Sequence, residues 1–234
     1  MKQYFYDLHI HSCLSPCGSE DMTPATICGI AKINGLHIVA LTDHNSVDNC
    51  PAFFKAAQFY GLTPIAGCEL TTAEDIHVVC LFRELQNAMD FGDFLRNHRM
   101  QIKNKPEIFG RQLVMNEDDE IIREEESLLL TASDIPIENV KSVISGFGGI
   151  CYPAHIDREA NGVIATLGTF PLDCGFDFFE LHDPENYYIY NEKYNLQNLT
   201  PIFSSDAHYL EQISERKNFF EERVPVFEAL GIRD

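Results

Sequence analysis

The run Leu36-His37-Ile38-Val39-Ala40-Leu41 is almost wholly apolar and stops at Thr42-Asp43-His44. A strand of that kind has both faces covered, as in parallel sheets flanked by helices, and the loop after it faces a ligand-binding rim. Similar units recur along the chain. Tyr4 to Ile10 forms a short strand-like run that ends near His11, ahead of the turn residues Ser15-Pro16-Cys17-Gly18. Thr23-Pro24 opens a helix whose Ile27, Ile30 and Ala31 recur at helical spacing, and Asn34-Gly35 stops it. Ser46 is placed to cap a second helix through Phe53, Phe54, Ala57 and Tyr60 to Gly61. Strands are predicted at Pro64–Glu69 and Ile76–Phe82, followed by an amphipathic helix from about Gln86 to Arg99. A helix from about Pro136 to Phe147 and short strands at Ile150–Ala154, Phe176–Leu181 and Pro201–Ser205 continue the alternation. A terminal helix is expected from about Tyr209, with Phe219, Phe220, Val226, Phe227 and Leu230 packing on the rest of the fold or on a partner. This order predicts an α/β fold, either a (β/α) barrel or an open doubly wound sheet; pattern alone does not separate them.

The 234 residues suit one domain spanning 1–234, interrupted at about 100–131, where the alternation lapses. Within that stretch Glu117 to Glu126 holds seven acids and one base, which predicts a solvated excursion, in the form of a hairpin, that restricts access to small molecules. Overall, 17 basic residues against 36 acidic ones give a net charge of −19. Such a surface repels nucleic acid and anionic membranes, so a polyanionic partner would need a local attractor such as bound cations. No apolar run approaches the ~18 residues that span a bilayer, and the N-terminus lacks a basic-then-apolar leader, so a cytoplasmic protein is expected. The eight cysteines are scattered, with no Cys-x-x-Cys pair, which argues against a zinc ribbon and for reduced thiols packed as small hydrophobes.

Most of the nine histidines fall at predicted strand ends beside carboxylates: His9 and His11, Asp43-His44, Glu69, His155, His182-Asp183, and Asp206 with His208. His77 belongs near them although it begins a strand. Two residues apart on a strand, His9 and His11 point the same way, so both imidazoles can grip one ion or neighbouring ions. Gathering so many imidazoles and carboxylates without a ligand would cost several kcal/mol each, roughly, in desolvation. Imidazole with carboxylate suits zinc, manganese or iron, and the surplus of donors argues for two or three ions bridged by a carboxylate such as Glu69. His37 and His98 read as ordinary packing and surface residues.

The series His9-x-His11, Thr42-Asp43-His44, Gly67-x-Glu69, His77, Pro153-Ala154-His155 and Asp206-x-His208 resembles the PHP phosphoesterases, named for polymerase and histidinol phosphatase. The resemblance runs in order from about residue 4 to 209. It implies a distorted seven-stranded (β/α) TIM-like barrel with a metal site at the carboxyl ends of the strands. It also implies metal ligands at His9, His11, His44, Glu69, His77, His155, Asp206 and His208, for up to three zinc, manganese or iron ions. Where the family carries a further ligand after the first pair, this chain has Cys17: either a thiolate ligand or a vacated position. Asp43 would orient a ligand histidine or take a proton from bound water.

Clustered divalent ions can lower the pKa of bound water from ~15.7 to about 7 and clamp phosphoryl oxygens. The expected activity is therefore hydrolysis of a small phosphate ester, a phosphomonoester or nucleotide-type substrate, by metal-activated hydroxide. Arg158 is a candidate to hold the phosphate, or else pairs with Asp157 or Glu159 on the surface. Glu180, His182 and Asp183 are candidates to line the same face, with His182 donating a proton to the leaving group. An exonuclease-like phosphodiesterase would want a basic, aromatic-lined groove, which the scattered basic residues do not suggest. A metal-binding domain without catalysis is the remaining alternative, kept open by Cys17.

Overall fold

The computed structural model describes residues 3–221 and 225–230. In chain order its elements are β1 (Gln3–Asp7), α1 (Pro24–Ile33), β2 (Ile38–Leu41), α2 (Cys50–Tyr60), β3 (Thr63–Thr71), β4 (His77–Phe82) and α3 (Leu85–His98). Next come the short α4 (Pro106–Phe109), β5 (Leu113–Met115), β6 (Ile121–Glu124), α5 (Ile137–Gly146), β7 (Gly149–Pro153) and α6 (Val163–Leu167). The chain continues through β8 (Phe178–Leu181), α7 (Tyr187–Lys193), β9 (Thr200–Phe203), β10 (Phe219–Glu221) and α8 (Pro225–Leu230).

Six strands form one curled sheet in the order β10-β1-β2-β3-β4-β7, and β8 pairs in parallel with β9. Parallel pairing links β1, β2 and β3, as the apolar runs predict. The β2 run shows why it must be apolar throughout: Ile38 and Ala40 join one buried cluster, Val39 and Leu41 the other. One cluster, with Tyr6, Leu8, Ile65 and Tyr152, lies on the concave side of the curl; the other lies between the sheet and the helices. Each fully buried Ile or Leu contributes about 1.5–3 kcal/mol.

The structure corrects several expectations. β4 runs antiparallel to both β3 and β7, because only five residues separate Thr71 from His77, too few for a parallel crossover. The turn closes with Thr72 N–H and Oγ1 bonded to Ile76 and with Asp75 at φ 60°. The cap of α2 falls at Asn49, while Ser46 Oγ accepts from Asp48 N–H in the preceding turn. No long helix begins at Tyr209: Leu210–Gln212 is a single 3-10 turn, and Phe219–Glu221 pairs antiparallel with β1, where Phe220 stacks on Tyr6 at 4.1 Å. Only Pro225–Leu230 of that segment is helical among the described residues.

The expected seven-strand circuit is not one continuous ladder. The six-stranded sheet and the β8-β9 pair meet through single contacts: an Ile10–Ala207 bridge, with His11 N–H donating to Ala207 O, and Ile156 N–H donating to Glu180 O. The acidic insertion does contain a hairpin, β5-β6, but it is only half solvated. Leu113, Val114 and Met115 are buried against Cys13, Leu14 and Leu129, while all of β6 is exposed. Asn49 clamps β5 by donating to Leu113 O and accepting from Met115 N–H. Asn45 donates to Leu129 O and Thr131 O. The insertion thus braces the loops that follow β1 and β2. No described helix is long and apolar enough to cross a membrane.

Candidate metal centre

The strand ends deliver their side chains to one point. His9 and His11 follow β1 on the backbone that the Ala207 bridge holds extended; His44 follows β2 and bridges in parallel to Glu69 on β3. Glu69 can lie that close because Gly67 admits the neighbouring strand: a Cβ there would meet Cys80 O at 2.5 Å. His77 opens the antiparallel β4 opposite Thr71, which is how a strand's beginning reaches a rim made of strand ends. His155, Asp206 and His208 follow β7 and β9.

Glu69 is the hub. Its Oε1 lies 2.9 Å from His77 Nδ1, 3.1 Å from His155 Nε2 and 3.4 Å from His9 Nε2. Its Oε2 lies 2.9 Å from His44 Nδ1 and 3.4 Å from His11 Nε2. Asp206 Oδ1 is 3.1 Å from His11 Nε2 and 3.4 Å from His9 Nε2, and the ring of His208 stacks on His11 at 4.2 Å. The eight residues that the resemblance implied as ligands are therefore together. Three overlapping groups have candidate ligand atoms within 4.8 Å of one another: His9, His11, Glu69 and Asp206; His44, Glu69 and His77; His11, His44 and His208. Cys17 is exposed and its sulfur joins none of these groups among the described residues.

These donors fit cations. His44 Nδ1, Glu69 Oε2 and Asp206 Oδ1 are buried yet have no hydrogen-bond partner, although His44 Nδ1 and Glu69 Oε2 stand 2.9 Å apart. Polar atoms that close without hydrogen-bond alignment aim their lone pairs at a shared point, the arrangement that ligands of one ion adopt. Burial pushes the Glu69 carboxyl up, but the imidazoles of His77, His9 and His44 outweigh it and hold the group well below its usual range. Asp206 is likewise held low against burial by the neighbouring imidazoles of His9 and His11. Burial, with His208 and His44 nearby, drives His11 well below the usual histidine value, and burial also lowers His44. Burial would lower His9 too, yet Glu180, Asp206 and Glu69 raise it well above. The result is two ionised carboxylates among imidazoles of which His11 and His44 are lowered and so ready to ligate as neutral rings, while the same carboxylates raise His9 and His155.

Behind the ligands lies a layer of side chains that fixes their orientation. Ser15 Oγ donates to Asp43 Oδ1 at 2.7 Å, and accepts from His11 Nδ1 at 3.0 Å and from His44 N–H at 3.1 Å. Asp43, fully enclosed, also accepts from Ser12 N–H and Oγ. This keeps the His11 proton on Nδ1 and its Nε2 lone pair on the cluster. Asp43 thus stands where it can orient a ligand histidine, one hydroxyl removed. Ser12 and Ser15 escaped the sequence reading, which treated that stretch only as a turn; their spacing directly after His11 was the available signal.

Glu180 departs from its expected role. It is 1% exposed and lies behind His9, with Oε1 2.9 Å from His9 Nδ1 and accepting from His155 N–H at 3.2 Å. Strand alternation turns it inward, so it positions His9 and cannot touch a substrate. Arg158 sits half-exposed at the rim, donating from Nη1 to Asp206 Oδ2 at 2.5 Å and from Nη2 to the His182 ring at 2.9 Å. Its ion pair is with Asp206 and not with Asp157 or Glu159. Burial and the Arg158 charge lower His182, so at neutral pH its ring is an uncharged acceptor for Arg158, which disfavours it as a proton donor. Asp157 holds the β8-α7 loop by accepting from His182 N–H, Asp183 N–H and Asn186 Nδ2, so Asp183 serves that loop. His37 accepts from Phe5 N–H and His98 pairs with Asp134, away from the cluster. The mouth over the cluster has a volume of about 180 Å³, rimmed by Arg158, Ala160 and Asn161.

The sequence profile of the PHP domain family matches residues 7–223. Error-prone DNA polymerase of Symbiobacterium thermophilum is 36% identical over 77 residues, which is 33% of this chain and 7% of the polymerase. The lesion-specific endonuclease PfuEndoQ of Pyrococcus furiosus superposes with a TM-score of 0.71 at 19% identity, covering 98% of this chain and 55% of that one. A Bifidobacterium adolescentis protein described as a metal-dependent phosphoesterase superposes with a TM-score of 0.61 at 18% identity, covering 88% of each chain. At such identities the structures bear on the fold alone, and the chain spans about half of the endonuclease and a small part of the polymerase. The family match, extending over nearly the whole chain, carries the conclusion that the geometry prepared: this protein belongs to the PHP domain family.

Proposed function

We propose that the chain is a metal-dependent phosphoesterase that hydrolyses a small phosphate ester at a site for two or three divalent ions. The observation that carries this reading is Glu69, one buried carboxylate within 3.4 Å of five imidazoles, the arrangement expected of a bridging ligand. His9, His11 and Asp206 would hold one ion with Glu69, His44 and His77 a second, and His208 would complete a third position with His11 and His44. When bound, divalent ions of the zinc, manganese or iron type supply an activated water and offset phosphoryl charge. In the same reading the strands β1, β2, β3, β4, β7, β8 and β9 form the seven-stranded barrel, with its seams at Ala207 and Glu180. A cytoplasmic setting would keep the eight free cysteines reduced.

The chain's own residues select and place the substrate. A mouth of about 180 Å³ admits a phosphoryl group but little more. Arg158 offers it two N–H donors that now engage Asp206 and His182, so an entering phosphoryl group competes for them. Ser15, Asp43 and Glu180 keep the imidazole protons on the far side of the rings.

The test is hydrolysis of p-nitrophenyl phosphate and bis(p-nitrophenyl) phosphate by metal-stripped protein resupplied with manganese or zinc. Metal-dependent turnover of the monoester is expected; no turnover of either ester with either ion would overturn the reading. Preference for the diester would favour the nuclease-like alternative. The likeness to PfuEndoQ over 98% of the chain supports that alternative, against the expectation that nucleic acid is excluded. A labelled single-stranded oligonucleotide would then be the next substrate.

A further inference from the structure

Beside the metal mouth lies a second hollow of about 310 Å³, formed by His182 and Pro184 after β8, the end of β9, and residues 211–218 of the loop beyond His208. The two hollows share a wall. The ring of His182 accepts from Arg158, and the same guanidinium holds Asp206 at the mouth. A group bonded to a phosphate in the mouth can therefore reach the hollow over Arg158.

The hollow is built, not incidental. Asp7, fully buried, ties its two sides together: it accepts from Ser205 N–H at 3.0 Å on one and from Ser214 N–H at 2.9 Å on the other, besides a longer contact from His9 N–H at 3.5 Å. Burying a carboxylate is costly unless it is hydrogen-bonded, so Asp7 fixes the spacing of these walls. Gln212 Oε1 accepts from His208 N–H and Tyr209 N–H, and Asn218 Nδ2 donates to Phe203 O. That leaves Gln212 Nε2, Asn218 Oδ1 and the Ser214 hydroxyl without protein partners among the described residues. The ligand-facing chemistry is thus a mixture of neutral donors and acceptors. Lys217 makes no ion pair among the described residues, and the exposed Glu211 and Glu215 outnumber it, so a second phosphate is disfavoured here.

We infer that this hollow is the leaving-group subsite and takes a neutral polyhydroxylated group, a sugar or sugar alcohol, whose phosphate lies in the metal mouth. The inference rests on the phosphoesterase reading and names its substrate class. Hydrolysis breaks the bond between phosphorus and the sugar oxygen and forms one between phosphorus and water oxygen. A proton from that water ends on the sugar hydroxyl, and no co-reactant is needed. A volume of 310 Å³ is at the small end of ligand pockets, suited to one monosaccharide ring and not to a polymer.

The experiment compares wild type, Ser214→Leu, which fills the hollow, and Lys217→Ala, a change on an exposed side chain. Substrate is glucose 1-phosphate; inorganic phosphate serves as a competitive probe of the mouth alone. The expected result is a KM for glucose 1-phosphate raised about tenfold in Ser214→Leu and severalfold in Lys217→Ala, as for loss of one or two hydrogen-bonded contacts, with the Ki of inorganic phosphate unchanged. Equal KM values in all three proteins, or a parallel rise in the phosphate Ki, would overturn the subsite. Should metal-loaded wild type bind glucose 1-phosphate but hydrolyse neither it nor the aryl esters, the phosphoesterase reading fails and the shift in Kd between the variants still decides the hollow. Turnover of aryl esters with no binding of glucose 1-phosphate sinks the hollow alone.

Discussion

Ser15→Ala tests whether the layer behind the ligands sets metal affinity. The substitution removes one enclosed hydroxyl that accepts from His11 Nδ1 and His44 N–H and donates to Asp43. A buried donor left unpaired costs about 1–3 kcal/mol. For His11 that cost falls on the ring's tautomer and orientation, and so on metal binding: losing such a partner lowers affinity by about 10–100-fold, or roughly 1.4–2.7 kcal/mol. The His44 N–H is backbone, so its loss falls on folding, and another ~1–3 kcal/mol at about 2–4 °C per kcal/mol lowers Tm by roughly 2–12 °C. Zinc titration against a chromogenic chelator gives the first quantity and a metal-free melt gives the second. Activity should recover at saturating metal. If Asp43 acts on His11 through Ser15, the variant Ser15→Ala/Asp43→Asn should bind zinc about as weakly as the worse single change, because residues of one network do not add. A zinc affinity within about twofold of wild type, beside a lowered Tm, would refute the reasoning and leave Ser15 a folding residue only.

Other perturbations probe the fold and its electrostatics. In metal-free protein the Glu69 carboxyl titrates well below its ordinary value, so its stabilising contribution is complete above about pH 4.5 and is lost as pH falls through the lower folded value. Melting curves of wild type and Glu69→Gln in chelator should differ most above that point and converge in acid; a gap that widens in acid contradicts the assignment. Tyr152 buries a hydroxyl that has no partner, so Tyr152→Phe should hold or raise stability by up to about 1–3 kcal/mol, and a marked fall in Tm would show that the hydroxyl is bonded after all. Gly110 has φ +97° and its Cβ position lies 2.2 Å from Pro16 O, so Gly110→Ala should lower Tm and speed proteolysis within the insertion, whereas an unchanged digest would show that the hairpin is not pinned there.

The cluster of candidate ligands was legible because metal chemistry needs particular residue types, and the topology places strand ends together whatever their separation in sequence. Antiparallel β4 was legible too, from the five residues between Thr71 and His77, but the apolar run drew attention from the length of the loop. A histidine at a strand's beginning, among ligands at strand ends, was the second clue to that reversal. Glu180 was misread because a strand residue's facing cannot be assigned until its partner strands are known. The terminal segment was misread for a different reason. Phe219 and Phe220 can serve a helix or an edge strand, and only pairing with β1 decides between them. Asn45 and Asn49 look like loop residues in sequence, yet each uses its side-chain amide to replace a backbone pairing partner for the insertion.

Backbone strain marks the same rim by an independent route. Among the described residues seven non-glycine residues have left-handed backbones, and Asn45, His155, Asn161 and Asp206 are four of them. Asparagine and aspartate tolerate that region; His155 at φ 27° does not, and such a residue costs about 1–3 kcal/mol unless its surroundings dictate it. They do: its N–H donates to Glu180, its carbonyl accepts from Arg158 N–H, and its Nε2 meets Glu69. Two of those partners are themselves fixed by other histidines of the cluster, Glu180 by His9 and Glu69 by His77 and His44. The strained turn and the carboxylates therefore hold one another, and neither is explained by packing alone. Apolar packing in the two clusters brings the strand ends to one rim. Polar contacts within the rim set the direction of each lone pair, which is why substitutions behind the candidate ligands should alter metal affinity while leaving the curled sheet folded.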